Sequence, residues 1–280
     1  MSSIQEICKN HQNNSTNTEL DKIDKIKLNL YTRAHRSGKT YSYKPPVVRS
    51  RKTPVSSTII QKNTHPQLRE STEFLLVRHG ETDWNKQKLY LGQTNISLNE
   101  TGIKQAKKLA RYLVEKHPDI TAIYSSDLAR ASATAQHVAR VFNVKVNQRS
   151  TLQEISWGEV EGSNVDETDK AYSQKLEDLK KTYPGRKERW AHEPVFPKGE
   201  TYNTLLLRVK NELKHIASAH PGEKIAVFAH GRILRTLVSE SMDHADVYPQ
   251  LPNCAIVQLR FTPEKSDCPF TCLKIEEPSH

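Results

Sequence analysis

Residues 73–80 read EFLLVRHG, a short apolar run that turns polar at its end. A run of that length, bounded by polar residues, fits a strand buried on both faces of a parallel sheet. Arg78 and His79 then stand at its C-terminal end. A second run, IAVFAHG at 225–231, ends in the same way on His230 and Gly231. Between them the pattern alternates. Ile103, Ala106, Leu109, Ala110 and Leu113 recur at three- and four-residue steps within 101–116, which predicts an amphipathic helix. His117-Pro118 ends it, and 120–124 reads as the next strand. Asp127 is placed to cap a helix carrying Ala131, Ala135, Val138 and Val141. A short strand is predicted at 144–146. Residues 202–219 form a helix with Leu205, Leu206, Val209, Leu213 and Ile216 inward, broken at His220-Pro221-Gly222. A strand at 224–229, a helix starting at 233–239 and a last strand at 255–261 complete the pattern. Strands alternating with helices predict an α/β fold with a mostly parallel sheet covered on both faces. Ligands of such sheets bind beyond the carboxyl ends of the strands. Three polar clusters fall there: Arg78-His79-Gly80, Ser125-Ser126-Asp127 and His230-Gly231-Arg232. A fourth, 154–162, follows a loop.

Composition divides the chain of 280 residues. Only 35% is apolar, against roughly 45–50% in ordinary globular proteins. Part of the chain is therefore expected to lie outside a core. The net charge of +10 is unevenly placed: residues 1–72 hold 13 Lys and Arg against 5 Asp and Glu, and residues 73–280 hold 29 against 27. From Lys25 to Arg69 there are 11 basic residues and no acid. That stretch lacks sustained periodicity and is expected to be a disordered basic arm. Such an arm attracts an acidic partner or membrane surface by Coulomb forces, or is a solvated tail with no partner. Nothing in it predicts specific nucleic-acid recognition. The boundary is set at 72/73, with a folded domain over 73–280.

The mean hydropathy is −0.72, and no run approaches the roughly 18 apolar residues of a spanning helix. The N-terminal MSSIQEICKNHQNNS has no apolar core of a secretory signal. Cys8, Cys254, Cys268 and Cys272 are too few and too irregular for a disulfide framework. Reduced thiols in a cytoplasmic protein are expected. Cys268 and Cys272 have no clear second ligand pair, so no metal site is assigned.

One His-Gly pair on a strand means little, because most such histidines are structural. Two pairs after two like strands mean more. A glycine after each His permits close backbone approach by a ligand. Arg78 adjoins the first His, and Arg130 lies near the start of a helix whose dipole adds positive potential. Two imidazoles and two guanidiniums at one crevice make sense if a dianion neutralises them.

These residues resemble the histidine phosphatase superfamily, the phosphoglycerate mutase-like proteins. The blocks are LLVRHGETDWNKQKLYLGQTNISLNETGIKQAKKLA at 75–110, IYSSDLARASATAQ at 123–136, LQEISWGEVEG at 152–162, PKGETYNTLLLRV at 197–209 and VFAHGRILRTLV at 227–238. They follow the family order over about 73–262; residues 1–72 have no counterpart. The resemblance implies a three-layer α/β/α sandwich and a phosphomonoester hydrolase acting on a small phosphorylated metabolite or sugar phosphate, with no cofactor or metal. It implies His79 as the nucleophile that becomes a phosphohistidine. Arg78, Arg130 and His230 would surround the phosphoryl oxygens, and Asn85, Gln93 and Gly231 would contact substrate. Glu154 would protonate the leaving alcohol and later activate water. That task needs a raised carboxyl pKa or a proton brought by the substrate.

Several alternatives stand at this point. Glu159 and Glu161 compete with Glu154 as the acid, and a turn cap is the alternative role for Asn85. Many relatives carry a second glycine where this chain has Arg232, which either favours an acidic substrate or crowds the pocket. The segment 163–197 is polar and lysine-rich, unlike the longer insertion of cofactor-dependent mutases. It is expected to form a helical lid with Tyr172, Leu176 and Leu179 inward. Phosphotransfer of the mutase type, a protein phosphatase and an inactive phosphate-binding module are the other readings.

Overall fold

Buried side chains alternate between two cores along β2 (Thr72–Arg78). Phe74 and Leu76 join one hydrophobic cluster, and Leu75 and Val77 join the other. All four are at most 1% exposed, so each adds roughly 1.5–3 kcal/mol of burial energy to its side. A strand apolar on both faces must be covered on both faces. The computed structural model, which describes residues 41–42, 70–182, 193–241, 249–263 and 269–278, shows how.

After the short helix α1 (Asp83–Lys86), helices α2 (Glu100–Lys116) and α3 (Ala129–Phe142) place Leu109, Leu113, Ala135 and Val138 against Leu75 and Val77. On the other face, α6 (Tyr202–Ala219) and α7 (Gly231–Ser241) place Leu205, Val209, Leu213 and Leu237 against Phe74 and Leu76. The remaining strands are β3 (Ile120–Ser125), β4 (Val146–Gln148), β5 (Lys224–Ala229), β6 (Ile256–Phe261) and β7 (Phe270–Glu276). From β7 the sheet runs β7-β6-β2-β5-β3-β4. The pairs β2/β5, β5/β3 and β3/β4 are parallel; β6 runs antiparallel to β2 and β7 antiparallel to β6. The expected three-layer α/β/α sandwich is present, with a mixed sheet whose parallel part carries the two His-Gly turns.

Some local expectations need correction. The sequence pattern misses β7, because five of its seven residues are only half-buried and polar residues interrupt its apolar run. Strand β4 lies two residues later than expected, since Val146 to Gln148 are the residues that pair with Ile123 to Ser125. Asp127 does not cap α3. The Asn95 amide oxygen accepts from Ala129 N instead, and Asp127 accepts from Gln153. Ile103 and Val141 lie on exposed sides of their helices. The glycine after the first histidine serves packing: a Cβ on Gly80 would stand 2.6 Å from the Gly102 carbonyl oxygen of α2. Helices α4 (Val165–Ala171) and α5 (Ser173–Thr182) form the expected polar segment, with Leu179 buried and Tyr172 and Leu176 packed on the core. Of the expected arm, residues 1–40 and 43–69 lie outside the described residues; a two-residue strand, β1 (Tyr41–Ser42), is described within it.

One buried carboxylate ties α2 to β7. Glu276, 1% exposed, accepts from the Tyr112 hydroxyl at 2.7 Å, Gln258 Nε2 at 2.9 Å and Lys274 Nζ at 2.8 Å, and its Oε2 lies 3.1 Å from His117 Nε2. Burial alone would raise its pKa, but the hydrogen bonds from His117, Lys274 and Tyr112 prevail and hold it at about 2. A carboxyl depressed on folding stabilises the fold above its unfolded pKa, and the contribution fades as pH falls toward the folded value. Glu276→Gln is therefore expected to cost on the order of 2–3 kcal/mol at pH 7, falling to about half at pH 3. Urea unfolding at both pH values checks this; an equal loss at both would show that the charge is not what matters.

Candidate active site

Strands β2 and β5 are adjacent and parallel, with Arg78 opposite Ala229 and His79 N donating to Ala229 O at 3.1 Å. The next residue of each strand is a histidine, so His79 and His230 emerge side by side. Their ring centroids are 5.3 Å apart with planes tilted by 58°, and both side chains are buried. The Nδ1 of His79 lies 2.6 Å from Gly80 O. A carbonyl only accepts, so the proton sits on Nδ1 and Nε2 keeps its lone pair. Burial, then the charges of Arg130 and Arg78, press the His79 pKa well below the ordinary imidazole value. Burial and the charge of Arg130 do the same for His230.

Arg130, the second residue of α3, is wholly buried. It donates from Nη1 to Thr94 O at 2.8 Å and from Nη2 to Gly92 O at 2.6 Å. Arg78 donates from Nη1 to Leu251 O. Desolvation brings both guanidiniums down to about 10, so both remain cations at neutral pH. The Nε atoms of both arginines and both ring nitrogens of His230 are buried without a hydrogen-bond partner among the described residues. Each such group costs roughly 1–3 kcal/mol unless something satisfies it. An oxyanion with several acceptor oxygens would do so.

The structure separates the three competing carboxylates. Glu154 is buried; Oε1 accepts from Ile155 N at 3.0 Å and Oε2 from Arg232 N at 2.9 Å. That ties it to the first turn of α7, two residues beyond His230, and its charge is felt by both Arg78 and Arg130. Glu161 is committed elsewhere: its oxygens accept from Gln93 N, Thr94 N, the Thr94 hydroxyl and Trp157 N. Glu159 is exposed and pairs with Lys198 at 2.7 Å. Asn85 completes a capping box with the N-cap Thr82: its Oδ1 accepts from Thr82 N and Thr82 Oγ1, and also from Asn253 Nδ2. Gln93 turns its amide onto Glu154 O at 3.1 Å. Gly231 faces the cluster, since a Cβ there would lie 3.4 Å from Arg78 Nε. Among the described residues no group of three His, Cys, Asp or Glu is placed to hold a metal ion; Cys268 lies outside them.

Residues 74–271 match the Histidine phosphatase superfamily (branch 1). The chain belongs to this superfamily. It is 31% identical over 196 residues to the uncharacterized phosphatase PhoE of Bacillus subtilis, spanning 69% of this chain and 91% of that protein. It is 35% identical over 176 residues to the metal-independent phosphoserine phosphatase of Arabidopsis thaliana, spanning 60% and 68%. Its fold is shared by the crystal structure of a phosphoglycerate mutase from Bacillus anthracis, with a TM-score of 0.62 at 23% identity over 73% of this chain and 92% of that one.

The histidine phosphatase site rests on supports that sequence reading missed. Arg208 of α6 donates to Thr151 O, Gln153 O and Glu154 O at 2.7–3.0 Å while pairing with Glu200 through two bonds of 2.7 and 2.8 Å. It thus splints the loop that presents Glu154. Its signal was visible: a charged residue on the buried stripe between Leu205 and Val209 is unusual unless paired. Glu161 braces the loop that anchors Arg130. Gly92, with φ +50°, leaves no room for a side chain there, since a Cβ would stand 1.9 Å from Glu161 Oε1. Asn253 holds His79 O at 2.9 Å. These last contacts join residues 68 to 174 apart in sequence, which spacing does not reveal.

Proposed function

We propose that this histidine phosphatase hydrolyses a small phosphomonoester through a phosphohistidine on His79. The observation that carries the reading is the orientation of His79: Nδ1 is held by Gly80 O, and Nε2 is left as a neutral nucleophile beside His230 and two buried arginines. In the first half-reaction Nε2 attacks phosphorus and the bond from phosphorus to the ester oxygen breaks. Glu154 takes up the proton that the phosphomonoester monoanion brings and passes it to the departing alcohol oxygen. Arg78, Arg130 and His230 donate to the phosphoryl oxygens, whose charge pattern in the transition state they match in advance. In the second half-reaction Glu154 takes a proton from water as its oxygen attacks phosphorus. The N–P bond breaks, inorganic phosphate leaves and His79 is neutral again. Gly80 O holds Nδ1–H throughout and stabilises the phosphoimidazolium cation.

The reading also supports Gly231 as a substrate contact, by its place beside Arg78. Asn85 and Gln93 serve through the cap and through Glu154. It includes a cytoplasmic setting, supported by the free thiols of Cys254 and Cys272, and an acidic partner for the basic arm, supported by its run of uncompensated Lys and Arg. Among the described residues no helix is long and apolar enough to cross a membrane.

The test is rapid quenching of the full chain with phosphate-labelled p-nitrophenyl phosphate in EDTA. We expect inorganic phosphate release and an acid-labile, base-stable label on His79. Transfer of label only to an added alcohol, or activity restored by a divalent ion after EDTA, overturns the reading.

A further inference from the structure

We propose that Thr134 and Gln105 are positioning residues for the nucleophile, clamping from two helices the glycine that holds the His79 ring. The proposal deepens the phosphohistidine reading above, on which it rests. His79 Nδ1 lies 2.6 Å from Gly80 O, so the acceptor that orients the ring is the next residue of its own chain. Glycine has the freest backbone of any residue. A ring tied only to a glycine carbonyl would swing with it, so the orientation of His79 depends on what fixes Gly80.

Two side chains fix it. Gly80 N donates to Thr134 Oγ1 at 3.0 Å, and the Thr134 hydroxyl donates to Arg130 O at 2.7 Å. A hydroxyl has one proton and a carbonyl only accepts, so the direction of both bonds is settled. Thr134 is buried and stands one turn of α3 beyond Arg130. It joins the peptide of the nucleophile to the backbone of a phosphate-facing arginine. The second hold is on the following amide. Glu81 N donates to Gln105 Oε1 of α2 at 2.8 Å. This N–H and Gly80 O belong to one peptide group and point in opposite directions. One end of that group receives the His79 Nδ1 proton, and the other end is gripped by Gln105. Asn99 N donates to Glu81 O at 3.0 Å. A Cβ on Gly102 would stand 2.1 Å from the same oxygen, so α2 lies directly against the segment.

The polarity has a chemical consequence. Hydrogen bonds in a chain polarise one another, so an acceptor on Glu81 N–H makes Gly80 O a stronger acceptor. When Nε2 takes the phosphoryl group, the ring becomes a cation and Nδ1–H donates more strongly. The clamp therefore favours the transition state over the neutral ring. It acts on the rate of attack more than on phosphate binding, which rests on Arg78 and Arg130.

The experiment uses the full chain with Thr134→Val and Gln105→Leu, and with Thr134→Ser and Gln105→Glu, which keep an acceptor oxygen. Nitrogen NMR with isotopically labelled histidine reads the His79 tautomer, the His79 signal being the one missing from His79→Ala. Rapid quenching with phosphate-labelled p-nitrophenyl phosphate reads the labelling rate, and inorganic phosphate binding reads the cage. We expect wild type to carry the proton on Nδ1. Thr134→Val and Gln105→Leu should each add a population protonated on Nε2, which has no lone pair for attack. Labelling should slow by about ten-fold or more, while the phosphate Kd stays within about three-fold. Serine and glutamate should recover most of the rate. An unchanged tautomer and labelling rate in either variant overturns the proposal for that residue. A purely structural role would weaken phosphate binding as much as labelling and leave the tautomer alone, which also overturns it. Gln105 is only half-buried, so Gln105→Leu keeps the test open if Thr134→Val misfolds. No label on the wild type sinks the hydrolase reading, whereas the ring tautomer still decides the clamp.

Discussion

Alanine in place of His79 is expected to lower phosphomonoester turnover by about 10 000-fold or more, the scale seen when a covalent nucleophile is removed. No labelled phosphoenzyme should form. Arg78 and Arg130 are held by Leu251 O, Gly92 O and Thr94 O, none of which depends on the imidazole. The variant should therefore keep binding inorganic phosphate, and that binding shows that it folds. Loss of turnover together with phosphate binding would point to a collapsed pocket; substantial residual turnover would move the nucleophile elsewhere. The same geometry sets the pH behaviour. Burial, Arg130 and Arg78 all oppose protonation of His79, so the folded protein keeps the neutral ring below pH 6.5, where a free imidazole takes up its proton. An NMR titration of His79 showing protonation near that value would contradict the crowding by the two guanidiniums.

The second large effect belongs to Glu154. Glu154→Gln is expected to slow hydrolysis of an alkyl phosphate by about 100- to 10 000-fold, the range of general acid catalysis. The p-nitrophenyl ester should lose far less, because its leaving group departs as a stable phenolate and needs little help from an acid. Glutamine keeps an oxygen to accept from Ile155 N or Arg232 N, so the loop stays in place. Glu159→Gln should leave both esters unaffected, since that side chain is exposed and pairs with Lys198. Equal losses on the two esters would reduce Glu154 to a structural or electrostatic part. The contrast also explains why an acid loop needs a splint. Arg208 grips three of its carbonyls because a proton donor misplaced by an ångström loses its effect.

The departure at Arg232 acquires its meaning only in this setting. On the sequence it was a charge where many relatives have glycine, equally able to crowd the pocket. In the fold its backbone N–H holds Glu154 Oε2 and its guanidinium lies over the Trp157 ring.

Sequence alone determined which segments are strands and helices wherever one face, or both, must be buried. Periodicity records burial directly, and β2, α2, α6 and β5 were legible for that reason. It also determined that two histidines and two arginines stand at strand ends and helix starts. Only the tertiary structure decided that they share one cage. The parallel register of β2 on β5 puts His79 beside His230, although 151 positions separate them. Likewise, the resemblance pointed to Glu154, and the fold adds what sets it apart from its rivals: Glu154 is buried against Arg232 N, Glu159 is exposed on Lys198, and Glu161 is taken up by Gln93, Thr94 and Trp157. All three carboxylates look alike in a string, and what distinguishes them is the set of donors each one meets in space. Strand β7 and the cap of α3 escaped sequence reading for the same reason: half-buried faces carry weak patterns, and a cap supplied from Asn95, 34 residues away, leaves no local trace.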